Sequence, residues 1–245
     1  MHSLLINFLD EGPSYWCGFI GSGINLLGFI AAAIPYHDRL GRSYSIMNFF
    51  VSELGDIVQS PLAFVFNACL VIGGLMYGLF FLGLRRYFTT GTGRAAAIAG
   101  AASSFSAALA GFLPMNLLVP HCAAAAGFFG LGLAAVFLLT RAVVREKKRP
   151  FPLWTAVIGA VLAAVFALFL TAPFGPGMDY MKNFSIREIV ELIPLIRPRF
   201  WPIAALEWMA VLGVTVWVLV MSTSLALSSM VKRERSAAAA RRDSG

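Results

Sequence analysis

Six residues have side chains of the right type to move a proton or hold a polar headgroup: Ser52, Glu53 and Asp56 in NFFVSELGD, Asn116 in LPMN, His121 in VPHC, and Glu207 in ALEW. A histidine, with a reference pKa of about 6.5, can act as acid, base or metal ligand at neutral pH. It can equally be a hydrogen-bonded residue at the start of a helix. Ser52, His121 and a nearby carboxylate have the types of a nucleophile, base and orienting acid. No GxSxG elbow frames Ser52, however, and its hydroxyl can instead cap the turn at SELG. Histidines occur only at positions 2, 37 and 121, with no HExxH or HxxxH pair. Zinc would have to draw on scattered donors such as His37, His121, Asp56 and Glu53, so no metal and no cofactor is expected, and no residue is assigned a catalytic role.

The elements that must position these residues follow from composition. A chain of 245 residues that is 59% hydrophobic and 13% charged, with a mean hydropathy of +0.78, lies outside the soluble globular range. A membrane-spanning helix needs about 20 mainly apolar residues. Six stretches supply them, approximately 15–36, 61–84, 95–117, 120–143, 152–173 and 202–230. The expected fold is therefore all-α: a polytopic integral membrane protein, a bundle of six transmembrane helices with short loops. Residues 1–235 form one membrane domain, and 236–245 are expected to be a disordered basic cytoplasmic tail. The N-terminal segment has no Lys or Arg before its apolar residues and no small-residue cleavage site, so the first helix is expected to insert uncleaved. Cys17, Cys69 and Cys122 fall within or beside spans and suggest no disulfide framework.

Thirteen of the nineteen Lys and Arg residues fall on the side that holds the loops after the second and fourth helices and the C-terminal tail. That side is expected to be cytoplasmic, with both termini there. A basic tail beside a membrane is accounted for by anionic lipid, without nucleic acid. The six candidate residues then share the opposite, outer face, in the first, third and fifth loops or the helix ends beside them. The fifth loop, FGPGMDYMKNFSIREIVELIPLIRPRFW, alternates charged and apolar residues like a short amphipathic helix lying in the interface before the last span. Glu207 is singled out by energy. An acidic residue at the centre of a span costs about 2.5 to 3.5 kcal/mol, so a partner or a watered cavity is expected, the candidates being Arg197, Arg199, His121 and Ser52. The glycine-rich helix interiors, together with Asn25, Asn67 and Ser103, Ser104 and Ser106, read as close packing and interhelical hydrogen bonding.

These motifs resemble the six-helix membrane family known as domain of unknown function 998 (DUF998), with a distant likeness to Frag and DRAM membrane proteins. The resemblance rests on VSELGD (51–56) followed by SPLAFVFNACLVIGGL, on GFLPMN (111–116) followed by His121 and Phe128-Phe129, and on LEW (206–208). It implies the six-helix fold and the outer cluster, and it brings no established reaction. The family pattern often has His-Pro before the serine motif, Asp at the position of Asn116 and Arg after Glu207. Their absence here removes a histidine and a carboxylate from the cluster and weakens metal or general-acid chemistry.

The first functional expectation is binding of a membrane lipid or lipid-linked headgroup through Ser52, Glu53, Asp56, Asn116, His121 and Glu207. The alternative is an intramembrane lipid hydrolase or transferase in which His121 or Glu207 handles protons while Ser52 or Asp56 positions the substrate. A small-solute transporter comes third, because it would need a polar path inward of Glu207 and only Asn25, Asn67 and a few serines offer one. Membrane lipids are the expected partners, with no nucleic acid, and a bacterial inner membrane suits so loop-poor a chain.

Overall fold

The computed structural model describes residues 14–146, 150–172, 188, 192–193 and 195–243. Six helices are long and apolar enough to cross a membrane. They are α1 (Tyr15–Ala33), α2 (Ala63–Leu84), α3 (Gly91–Phe112), α4 (Leu118–Arg145), α5 (Trp154–Thr171) and α6 (Pro202–Asp243). No strand occurs among the described residues. Helices dominate because hydrocarbon offers no partner for a backbone N–H or C=O, and a helix satisfies both within one segment. The outward surface is accordingly apolar, with Phe64 84% exposed and Ile34 and Phe112 also turned out to where lipid would lie.

Each helix packs on its neighbours in the chain, and α6 closes the circle by packing on both α5 and α1. Small residues set the spacing of the ring. A side-chain carbon on Gly74 would stand 2.8 Å from the backbone nitrogen of Ala108 and 2.8 Å from the carbonyl of Ser104, so α2 and α3 touch backbone to backbone there. Gly111 meets α2 in the same way, 2.9 Å from the carbonyl of Asn67. At the end of the ring holding the second and fourth loops, the buried Glu146 carboxylate ties α4 to the start of α3. It accepts the Thr90 backbone N–H at 2.9 Å and the Thr89 and Thr90 hydroxyls at 2.6 and 2.7 Å, while Thr90 caps α3 through the N–H of Gly93. Burial pushes this carboxyl up, and the hydrogen bonds from Thr89 and Thr90 outweigh it, leaving Glu146 below the usual carboxylate range.

The last helix runs past residue 230, and α6 continues through the basic segment to Asp243. Its final turns run through SAAAARR, and alanine is the strongest helix former, so the helix that leaves the bundle has local reason to continue. The amphipathic interfacial segment falls largely outside the described residues; within it, residues 188, 192–193 and 195–196 are helical.

Gly74→Ala should lower thermal stability in detergent by about 1 to 3 kcal/mol through overpacking. Gly130→Ala, where an added carbon meets nothing within 4 Å, should leave the melting temperature unchanged or slightly raised.

Candidate functional site

The site is built around a stretch of chain that is not α-helical. After α1 the chain makes a small hairpin in which Asp38 accepts the backbone N–H groups of Leu40 and Arg42 and pairs with the Arg42 guanidinium at 2.6 Å. Gly41, at φ 73°, supplies the left-handed residue of that turn. Tyr36 then stands edgewise against Tyr44 and Phe49, Tyr44 stands edgewise against Trp208 of α6, and the loop re-enters the bundle as a short 3-10 turn, Val51–Gly55. The indole N–H of Trp208 donates to the Phe49 carbonyl at 3.2 Å and to the Tyr44 hydroxyl at 3.1 Å.

Glu53 and Arg197 lock this turn. Both are buried, and the guanidinium grips the carboxylate with two parallel bonds of 3.0 and 2.6 Å. The same guanidinium lies 3.8 Å above the centre of the Phe49 ring and donates to the Asn48 carbonyl, while Glu53 also accepts the Phe50 backbone N–H at 2.8 Å. Burial pushes the Glu53 carboxyl up, and the paired Arg197 opposes that rise. Glu53 is thereby committed to structure, and so are Asp56 and Asn116. The Asn116 amide donates to Asp56 at 2.8 Å and accepts the Ile57 backbone N–H at 2.8 Å, which fastens the third loop to the first.

The remaining three residues do meet. Ser52, His121 and Glu207 line one cavity of about 80 Å³ within the ring, among side chains of α1, α2, α3, α4 and α6. At about 10 to 15 Å³ per water-sized sphere, this is room for several waters or a small headgroup. Glu207, 8% exposed, accepts the Val51 backbone N–H at 2.7 Å through one carboxylate oxygen. Of its four expected partners, Arg197 goes to Glu53, while His121 and Ser52 share the cavity. His121 is buried, and its Nδ1 lies 2.7 Å from the Leu113 carbonyl and 3.1 Å from that of Ala110. Carbonyls only accept, so Nδ1 must carry the proton. In the neutral ring Nε2 is then the atom with the lone pair, and the end of α3 gains a partner for its last carbonyls.

Most of the cavity wall is apolar, formed by Phe29, Phe66, Leu70, Phe128 and Val211 among others, but Asn25, Tyr77 and Thr215 also line it. Thr215 is two helical turns inward of Glu207 on α6, about 12 Å along the axis. Sequence reasoning treats Asn25 as packing and passes over Tyr77 and Thr215. The available signal was the helical spacing of positions 207, 211, 214 and 215, which puts all four on one face of α6. His37 is exposed on the hairpin, beside Pro35 and Ser43, and among the described residues no three His, Cys, Asp or Glu side chains gather to hold a metal ion.

A family model described as "Protein of unknown function (DUF998)" matches residues 19–224, a span that contains all six candidate residues. No curated protein and no solved structure matches the chain.

The Glu53–Arg197 pair yields a double-mutant test. Glu53→Gln and Arg197→Met should each destabilise the protein by about 3 to 5 kcal/mol, because each leaves an unpaired buried group. The double variant should recover much of that loss, measured as thermal unfolding of all four proteins in one detergent.

Proposed function

We propose that this chain, which belongs to the DUF998 family, is an integral membrane protein that binds an amphipathic, lipid-like molecule in the cavity between its helices. The observation that carries the reading is the make-up of one cavity wall: a largely apolar lining with Ser52, His121 and Glu207 converging on it. Binding sites for small amphiphiles are built in this way, with a few placed polar groups fixing the head beside apolar walls, and a cavity of about 80 Å³ takes the head and the first carbons of the tail. The polar groups belong to the side of the first and third loops. By the distribution of Lys and Arg this side faces away from the cytoplasm of a bacterial inner membrane, so the ligand would enter from the outer leaflet.

A second reading, lipid hydrolase or transferase, draws on the fixed tautomer of His121. A ring held with its proton on Nδ1 offers Nε2 as a base, and Ser52, a hydroxyl lining the same cavity, is the group it would activate. The two main-chain carbonyls would orient the ring, a task that a carboxylate performs in serine-hydrolase triads.

Mass spectrometry of lipids retained by the purified protein separates these readings. Wild type should keep a lipid class enriched over the surrounding membrane, and His121→Ala and Glu207→Gln, at matched folding, should lose that enrichment. A retained lipid in chemically cleaved form, absent from Ser52→Ala, would put the enzyme reading first. No enrichment in any of the proteins would remove the lipid site.

A further inference from the structure

The polar atoms of the cavity can be sorted by what they are able to offer. Glu207 spends one carboxylate oxygen on the Val51 N–H, and its other oxygen can only accept if the group is ionised. His121 donates through Nδ1 to main-chain carbonyls, which leaves Nε2 as an acceptor. Thr215 gives its hydroxyl proton to the Val211 carbonyl at 3.1 Å, so its lone pairs are what remain. Among the described residues no Lys or Arg lines the cavity, and the nearby buried guanidinium of Arg197 is committed to Glu53. Asn25, Tyr77 and Ser52 add groups that can donate, so what the cavity lacks is a cation: its carboxyl group has no Lys or Arg beside it among the described residues, and a buried carboxylate is costly without one.

From this we infer that the ligand's polar end is a hydrogen-bond donor bearing positive charge: a primary ammonium carried on an apolar chain. The inference rests on the cavity being the ligand site. An ammonium has three N–H donors and no acceptor, which complements Glu207, His121 Nε2 and the Ser52 hydroxyl in both charge and hydrogen bonding. The first carbons of its chain would lie along Phe29, Phe66 and Phe128. A phosphate or carboxylate head would meet the Glu207 carboxylate and would be repelled. Such an ammonium could come from a free long-chain amine, or from an ethanolamine phospholipid whose phosphate stays outside the cavity.

The test is photo-crosslinking in nanodiscs of zwitterionic choline lipid. Three probes share one chain with a terminal diazirine and end in a primary amine, an alcohol or a carboxylic acid. Labelled peptides are mapped on wild type, on Glu207→Gln and on Val211→Phe, which fills the cavity while keeping the carboxylate. The amine should label cavity-lining peptides of α2 and α4 about tenfold more than the acid does. Glu207→Gln should remove that advantage while leaving the alcohol unchanged, and Val211→Phe should abolish labelling by both. If acid and amine label the cavity equally, or Glu207→Gln leaves the amine untouched while the alcohol labels normally, recognition of a cation is wrong and the amphiphile site stands. If no probe labels cavity peptides in wild type, the site itself is wrong. Adding ethanolamine phospholipid to the nanodisc identifies the source: competition with the amine probe indicates the headgroup, and its absence a free amine.

Discussion

The constraint on which this structure depends is that a stretch of non-helical chain between α1 and α2 is buried against the bundle, where every peptide group must find a partner inside the protein. The partners come from distant parts of the sequence. The Met47 carbonyl takes the Trp201 N–H, the Asn48 carbonyl takes Arg197, and the Phe49 carbonyl takes the Trp208 indole. The Phe50 N–H goes to Glu53 and its carbonyl to the Tyr44 hydroxyl, while the Val51 N–H goes to Glu207. Asn67 takes the Gly55 carbonyl and Asn116 the Ile57 N–H. Read in this way, VSELGD, LPMN and LEW are parts of one device for lowering irregular backbone into a membrane protein.

That device explains why the six candidate residues divide into two groups. Glu53, Asp56 and Asn116 face the loop backbone and one another, and their polar capacity is largely used in holding the first loop to the third loop and to the segment before α6. Ser52, His121 and Glu207 lie on the inward side of the same turn and open into the cavity. A turn of 3-10 geometry has about three residues per revolution, so Ser52 and Glu53, adjacent in sequence, project in different directions. One faces the cavity and the other the guanidinium.

The six spans were legible in the sequence because the bilayer imposes length and composition on each helix separately, and no tertiary information is needed to count them. The gathering of polar residues at one end of the bundle was legible for a similar reason, since alternation of short loops assigns each loop to a side. What the sequence did not reveal was pairing. Glu53 and Arg197 are 144 residues apart, and nothing local distinguishes Arg197 from Arg199 as the partner or Glu53 from Glu207 as the acid. Tyr77 and Thr215 sit in apolar runs where an isolated hydroxyl reads as packing, and only the ring closure of α6 on α1 brings their helices around one space. The continuation of α6 past the bundle was obscured by charge. KRER and RR suggest a solvated tail, whereas the alanines between them favour helix.

Glu207 separates structure from function most sharply. Its bond to the Val51 N–H requires an acceptor and nothing more, and a glutamine carbonyl would provide one at the same place in the chain. A carboxylate there carries a desolvation cost that an amide avoids, and the group escapes it only by holding its proton or by meeting a cation. Support of the turn alone therefore does not account for an acid at this position. The oxygen not used by the turn belongs to a side chain lining a cavity in which, among the described residues, no Lys or Arg lies. On the proposed reading, the acid stands where a neutral residue would serve the fold because a ligand in the cavity shared with His121 and Ser52 would use its charge.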